Sequence, residues 1–198
     1  MVLETYLMGL ALAILNFLSP VHHPRVVLPG WDETSSQRAD RYLDIANDVS
    51  VVANEMCDGH KACAVSTVYM VLGIAWHESG FAPDVDLGNC YRGVDGRGRR
   101  CDGGRSHSMW QLQCMNGSQT CEEGRVFDTD RRAAIHEAIR RMWRSLKACS
   151  FSRNEERFAV YAGGGCKLPS AVEKSWELTA FIKKARQTPL DDVVDLSR

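Results

Sequence analysis

The run from Ala64 to Trp76, wound as a helix, is apolar on nearly every face. A helix with no polar side belongs at the buried centre of a domain, walled by other elements. The walls are legible on either side of it. Ser35 or Ser36 can cap a helix to about Glu55, with Ala39, Tyr42, Leu43, Ala46, Val49 and Ala53 recurring at helical spacing. Asp128-Thr129-Asp130 opens another to about Ala148, its inner face Ala134, Ala138, Ile139, Met142, Trp143 and Leu146. A shorter helix over Glu155–Tyr161 ends at Gly163-Gly164-Gly165, and Pro169-Ser170 starts a last one, Ala171–Ala185, with Val172, Trp176 and Phe181 inward. Between Gly80 and Arg105 glycine and charge dominate, which predicts irregular or short β structure. The fold class is mainly α, with a Gly/Asp-rich cleft loop region.

A chain of 198 residues with 44% hydrophobic and 25% charged content is long enough for one domain with its own core. Lys+Arg 24 against Asp+Glu 25 leaves no electrostatic signature of nucleic-acid binding. Arginines cluster at Arg97, Arg99, Arg100 and Arg105 in one loop and at Arg131, Arg132, Arg140, Arg141 and Arg144 on one helix, and read as solvated surface. The chain divides into an apolar N-terminal helix (1–18), a linker (19–36) broken by Pro20, Pro24, Pro29 and Gly30, a domain (37–186) and a polar tail (187–198).

Tyr6 to Leu18 is almost wholly apolar, yet a membrane span needs about 20 such residues. Glu4 stands where an export signal carries basic residues, and no small-x-small cleavage site precedes Ser19-Pro20. Three readings follow: an export or anchor signal, a helix that docks on a membrane or protein partner, or a buried helix of the domain. The docking or membrane-associated helix ranks first.

Eight cysteines, in or beside loops, are many for a cytosolic enzyme and point to disulfides formed in an oxidising compartment. The economical pairing is sequential: Cys57–Cys63, Cys90–Cys101, Cys114–Cys121 and Cys149–Cys166. Zinc is the rival, since Cys57, His60 and Cys63 make half a site. The chain lacks paired Cys-x-x-Cys modules, so disulfides are preferred and no metal or other cofactor is expected.

At the end of the apolar run stands Glu78, between Trp76 and Phe81 in sequence. Apolar neighbours favour a carboxyl that keeps its proton, which is what a glycosidase needs to protonate a leaving oxygen. Three blocks occur in order: Glu78-Ser79-Gly80-Phe81, then Ser108-Met109-Trp110-Gln111-Leu112, then Ala159-Val160-Tyr161-Ala162-Gly163-Gly164. Together they resemble the soluble lytic transglycosylase family and its goose-type lysozyme relatives, over about Ala64 to Ala185. Two departures stand out. The second block, usually Gly-Leu-Met-Gln, here carries Ser108 and the bulkier Trp110, which can narrow the cleft or add a stacking surface for a sugar. The third, usually Tyr-Asn-x-Gly, carries Ala162 in place of Asn.

The resemblance implies a lysozyme-like fold, peptidoglycan glycan strands as the partner and an extracytoplasmic location, in periplasm, medium or virion. It implies cleavage of the β-1,4 bond between N-acetylmuramic acid and N-acetylglucosamine, with Glu78 as catalytic acid and later base. Tyr161 orients the acid or the sugar, Gln111 faces the cleft, and Ser108 and Met109 line it. In the transglycosylases the substrate acetamide assists and the C6 hydroxyl attacks. In the lysozyme relatives water attacks, often with a second carboxylate. Asp86, Asp95 and Asp102, with Asp84, are the loop candidates for that carboxylate, although turn-forming is the commoner job of such residues. His77 adjoins Glu78, but helical neighbours point about 100° apart, so it reads as a bystander. Competing classes are a glycan-binding module without catalysis and a Cys/His peptidase using His60, His107 or His136.

Overall fold

The computed structural model describes residues 2–18, 33–88, 106–113 and 122–189. Along them run α1 (Val2–Phe17), α2 (Ser35–Met56), α3 (Lys61–Ser79) and the short α4 (Pro83–Asp86). A strand pair follows, β1 (Ser106–His107) and β2 (Leu112–Gln113), then α5 (Glu122–Thr129), α6 (Arg131–Ala148), a 3-10 turn (Asn154–Glu156), α7 (Ala159–Gly163) and α8 (Pro169–Ala185). The molecule is mainly helical.

Helix α3 is the centre that its composition demands: every residue from Thr67 to Trp76 is buried. Helices α1, α2, α6 and α8 wall it. Gly73 lets α8 come close, because a Cβ there would lie 2.8 Å from the Ile182 Cα. At its C-terminal end Gly80 adopts the left-handed conformation, φ 61°, and its N–H donates to the Trp76 carbonyl at 2.8 Å. The chain therefore leaves α3 one residue past Ser79 in a tight turn.

The N-terminal helix corrects the ranking of the three readings, because its apolar face is occupied within the chain. Leu7, Leu10, Ala11, Ile14 and Leu15 are wholly buried in the same core as α2 and α3. Each large one contributes about 1.5–3 kcal/mol relative to exposure. Polar contacts on its rim agree: Asn54 Nδ2 donates to Glu4 Oε1 at 3.0 Å, and Lys61 and Lys184 lie over the Tyr6 and Phe17 rings. Among the described residues no helix is long and apolar enough to cross a membrane.

Other boundaries differ in detail for local reasons. Thr34, rather than Ser35 or Ser36, caps α2. Its hydroxyl accepts from the Gln37 N–H while Gln37 Oε1 accepts from the Thr34 N–H. The helix expected over Glu155–Tyr161 is broken at Arg157 and Phe158 because two buried serines take its backbone bonds. Ser145 Oγ accepts from the Tyr161 N–H and donates to the Arg157 carbonyl; Ser175 Oγ accepts from the Phe158 N–H and donates to the Glu155 carbonyl. Trp176, expected inward on α8, is half exposed, and Leu43 of α2 likewise. Helix α5 and the strand pair carry no periodic signal long enough to read.

Two of the four sequential disulfides fall on described residues, and both are formed. Cys57–Cys63 staples the turn between α2 and α3, and Cys149–Cys166 ties the end of α6 to the α7–α8 loop. The first removes the half zinc site, since its two thiols are spent on each other. Cys90, Cys101, Cys114 and Cys121 lie outside the described residues.

If α1 is a core helix, Leu10→Ala is expected to cost about 2–5 kcal/mol. Val2→Ala, at an exposed position, is expected to stay within about 0.5 kcal/mol. Urea unfolding of the full chain checks both, and equal, small effects would restore a detached docking helix.

Candidate active site

Glu78 lies in the last turn of α3, its side chain 19% exposed, at the point where the buried helix reaches solvent. The two aromatics beside it in sequence are both buried and packed on other rings. Phe81 is fully buried with its ring edge-on to Tyr42, and Trp76 packs on Phe181 with centroids 4.6 Å apart. Its polar partner among the described residues is His77, whose Nδ1 is 3.3 Å from Glu78 Oε1. Its Nε2 is 3.3 Å from Glu177 Oε2 on α8, and its ring meets Phe181 edge-on at 4.9 Å. His77 is thus no bystander: adjacent side chains on a helix diverge at Cβ, yet both are long enough to turn back toward each other. Burial alone would lower the imidazole pKa; contact with Glu78 and then with Glu177 outweighs it and raises the value.

The second block forms a hairpin rather than a helix start. Ser106 pairs with Gln113 and His107 with Leu112 in antiparallel register, around a turn in which Ser108 and Gln111 take positive φ, 60° and 49°. Trp110 is 1% exposed and donates from Nε1 to the Val71 carbonyl in mid-α3 at 3.0 Å. It therefore anchors the hairpin to the central helix and offers no face to a sugar. Met109 is wholly buried in the core. Gln111 Nε2 donates to the Ser108 carbonyl, so this side chain helps close its own turn. Ser108 is buried and its N–H donates to Asp128 Oδ1, while His107 Nδ1 lies 2.9 Å from Asp128 Oδ2. These contacts fasten the hairpin to α5.

Tyr161, from α7, connects the second and third blocks. Its hydroxyl donates to the Trp110 carbonyl at 2.9 Å. Burial first, and then the Glu78 charge, hold its phenol well above the ordinary pKa. Tyr161 and the Trp110 backbone are therefore in contact, and the Glu78 charge acts on the same phenol, although about thirty to fifty residues of chain separate one block from the next.

The loop carboxylates behave differently from Glu78. Asp84 is fully buried, and the Asp86 side chain is 1% exposed and gripped by the Arg131 fork, Nε to Oδ1 at 2.9 Å and Nη2 to Oδ2 at 3.0 Å. Arg41 Nη1 adds a contact at 3.6 Å, and Arg131 also reaches Asp48, which Arg132 shares. Asp86 is consumed in tying α4 to α2 and α6, and it is withdrawn as a water-activating base. Asp95 and Asp102 lie outside the described residues. The same network, with Arg140 and Arg141 paired to Glu137, shows that the arginines of α6 are largely engaged rather than a free cationic stripe. A pocket of about 530 Å³ opens beside it, lined by Asp48, Asp86, Ser108, Trp110 and the 127–132 segment. Glu78 and Tyr161 are not part of that lining.

Sequence reading missed Glu177, the anchoring role of Trp110 and the Arg131–Asp86 pair. A periodic hint existed only for the first: Glu177 and Phe181 are four apart on α8 and so share a face. Compared with protein-family models, with curated proteins and with solved structures, the chain matches none.

Removing Arg131 should leave Asp86 buried without its bidentate partner. Arg131→Ala is expected to cost about 3–5 kcal/mol, while Arg132→Ala, at a half-exposed side chain, is expected to cost no more than about 1 kcal/mol. Denaturant midpoints measure the contrast, and equal losses would mean that the network is surface decoration.

Proposed function

We propose that this chain is a peptidoglycan-cleaving enzyme of lysozyme-like fold, acting outside the cytoplasm on the β-1,4 bond between N-acetylmuramic acid and N-acetylglucosamine. The observation that carries the reading is the hydrogen bond that joins the second and third resembling blocks, on a tyrosine that the Glu78 charge of the first block also acts on. Glu78 lies in the last turn of the buried helix, and the hairpin supplies the Trp110 carbonyl that holds Tyr161. Two disulfides in the described residues support an oxidising compartment.

In this reading Glu78 gives its proton to the bridging oxygen as the C1–O bond breaks, and the leaving sugar departs as an alcohol. The substrate acetamide stabilises the positive charge that develops at C1. Glu78, now a carboxylate, then removes the C6 hydroxyl proton as that oxygen attacks C1, closing a 1,6-anhydro ring. Tyr161, kept neutral and anchored, fixes one wall of the site. A lytic transglycosylase is preferred to a hydrolase because Asp86 is occupied by Arg131, and because Glu177 reaches Glu78 only through the His77 ring. An inverting hydrolase instead keeps water between two carboxyls about 6.5–9.5 Å apart.

Glu78→Gln keeps shape and removes the transferable proton. It is expected to lower cleavage of purified peptidoglycan by about 10²–10⁴-fold while the unfolding midpoint and glycan binding persist. Mass spectrometry of the wild-type products is expected to find 1,6-anhydromuramic ends, with no water added. Reducing ends alone would make the chain a goose-type hydrolase. Near-normal activity of Glu78→Gln would overturn the assignment, and binding without cleavage by the wild type would leave a glycan-gripping module.

A further inference from the structure

We propose that His77 and Glu177 form a proton-sharing chain with Glu78, in which one proton passes between the Glu78 carboxyl and the His77 ring while Glu177 fixes that ring. The inference rests on Glu78 being the acid of the proposed reaction and adds two positioning residues that the resemblance does not supply.

Geometry sets the terms. Both ring nitrogens of His77 face carboxylate oxygens, Nδ1 toward Glu78 and Nε2 toward Glu177, each at 3.3 Å. The Phe181 ring meets the imidazole edge-on at an interplanar angle of 85°, which restricts rotation away from either partner. The His77 side chain is 14% exposed and that of Glu78 19%, so water competes little for their contact, while Glu177 meets the ring from the solvent side with its own side chain 56% exposed.

Valence then limits the protonation states. A neutral imidazole has one N–H and cannot donate to two ionised carboxylates at once. Two states satisfy both contacts with one negative charge overall. In one, an imidazolium donates to both carboxylates. In the other, protonated Glu78 donates to Nδ1 and the Nε2–H donates to Glu177. The two differ only by a proton moved from Nδ1 to Glu78 Oε1, and Glu177 stays ionised in both.

That arrangement suits an acid that must be protonated when substrate arrives. The second state presents the Glu78 proton for transfer to the bridging oxygen. When Glu78 later accepts a proton from the C6 hydroxyl, the chain returns to its starting charge, so His77 gains and loses nothing over a cycle. Glu177 acts through His77: its charge holds the Nε2–H and leaves Nδ1 turned toward Glu78. The groups acting on the ring are Glu78 from α3 and Glu177 from α8; the Glu78 charge also acts on Tyr161 of α7, as does that of Arg141 of α6. The raised imidazole pKa, in which the two carboxylates outweigh burial, agrees with the geometry.

The test uses the full chain and two readouts. In the first, NMR follows the His77 ring nitrogens through a pH titration of the wild type, Glu78→Gln and Glu177→Gln. Each substitution removes a negative charge from one end of the chain. The His77 midpoint is therefore expected to fall in both variants, with both ring nitrogens shifting together in the wild type. An unchanged midpoint in either variant overturns the proposal, whether or not the protein cleaves glycan. The second readout is the pH profile of peptidoglycan cleavage. His77→Gln and Glu177→Gln are expected to move its alkaline limb to lower pH, and Glu177→Asp to restore it in part. Lower activity with an unmoved profile would mean only a structural role and would also overturn the chain. A wild type that titrates as expected but cleaves nothing would sink the proposed function and leave the proton sharing standing.

Discussion

A helix without a polar face has to be enclosed, and the enclosure of α3 organises the rest of this molecule. Its burial from Thr67 to Trp76 requires walls on all sides, which explains why α1 is drawn into the core although it begins the chain. It explains the approach of α8 across Gly73 and the use of a mid-helix carbonyl, Val71, as acceptor for the Trp110 indole. Glu78 inherits its position from this enclosure. Two residues after Trp76, and beside the buried Ser79, the first carboxylate on the helix reaches solvent with its side chain 19% exposed.

Two kinds of carboxylate environment result. The Asp86 side chain is almost wholly shielded, and two arginines compensate its charge; the arrangement joins α4, α2 and α6. Such a pair contributes little net stability compared with apolar packing but is costly to break. Among the described residues no arginine forms an ion pair with Glu78. It meets an imidazole that can give or take a proton, and its charge helps to keep the Tyr161 phenol neutral. That contrast, rather than the number of acidic residues nearby, separates a structural carboxylate from one suited to proton transfer.

Much of the frame was legible because it rests on long periodic segments. The spans of α2, α3, α6 and α8 follow from apolar spacing and from Gly80, Asp130 and Pro169 as boundary residues. Boundaries failed where side chains from distant helices intervene. Ser145 and Ser175 break the segment before α7, and neither can be identified as an acceptor until α6 and α8 are packed. The apolar N-terminal run could be read as buried or as docking, since periodicity alone does not say what lies opposite. At the proposed site, Glu78 and Tyr161 were singled out through the three resembling blocks. Of the two roles open to Trp110, narrowing the cleft or stacking on a sugar, its burial speaks against the second, and that burial depends on where the hairpin lands. His77 was discounted on helical geometry that holds at Cβ but not at the ends of two long side chains. Glu177, a hundred residues on, carried no motif.

The central claim is that the glycan is held where α3, the hairpin and α7 meet, with its scissile bond at Glu78. Chemical-shift mapping on Glu78→Gln, titrated with a muramic acid-containing glycan fragment, addresses it most directly. The account requires the largest perturbations at His77 to Gly80, at Trp110 and Gln111 and at Tyr161, with smaller changes at Glu177. Perturbations confined to the pocket around Asp48, Asp130 and Arg132, or none at saturating fragment, would contradict it.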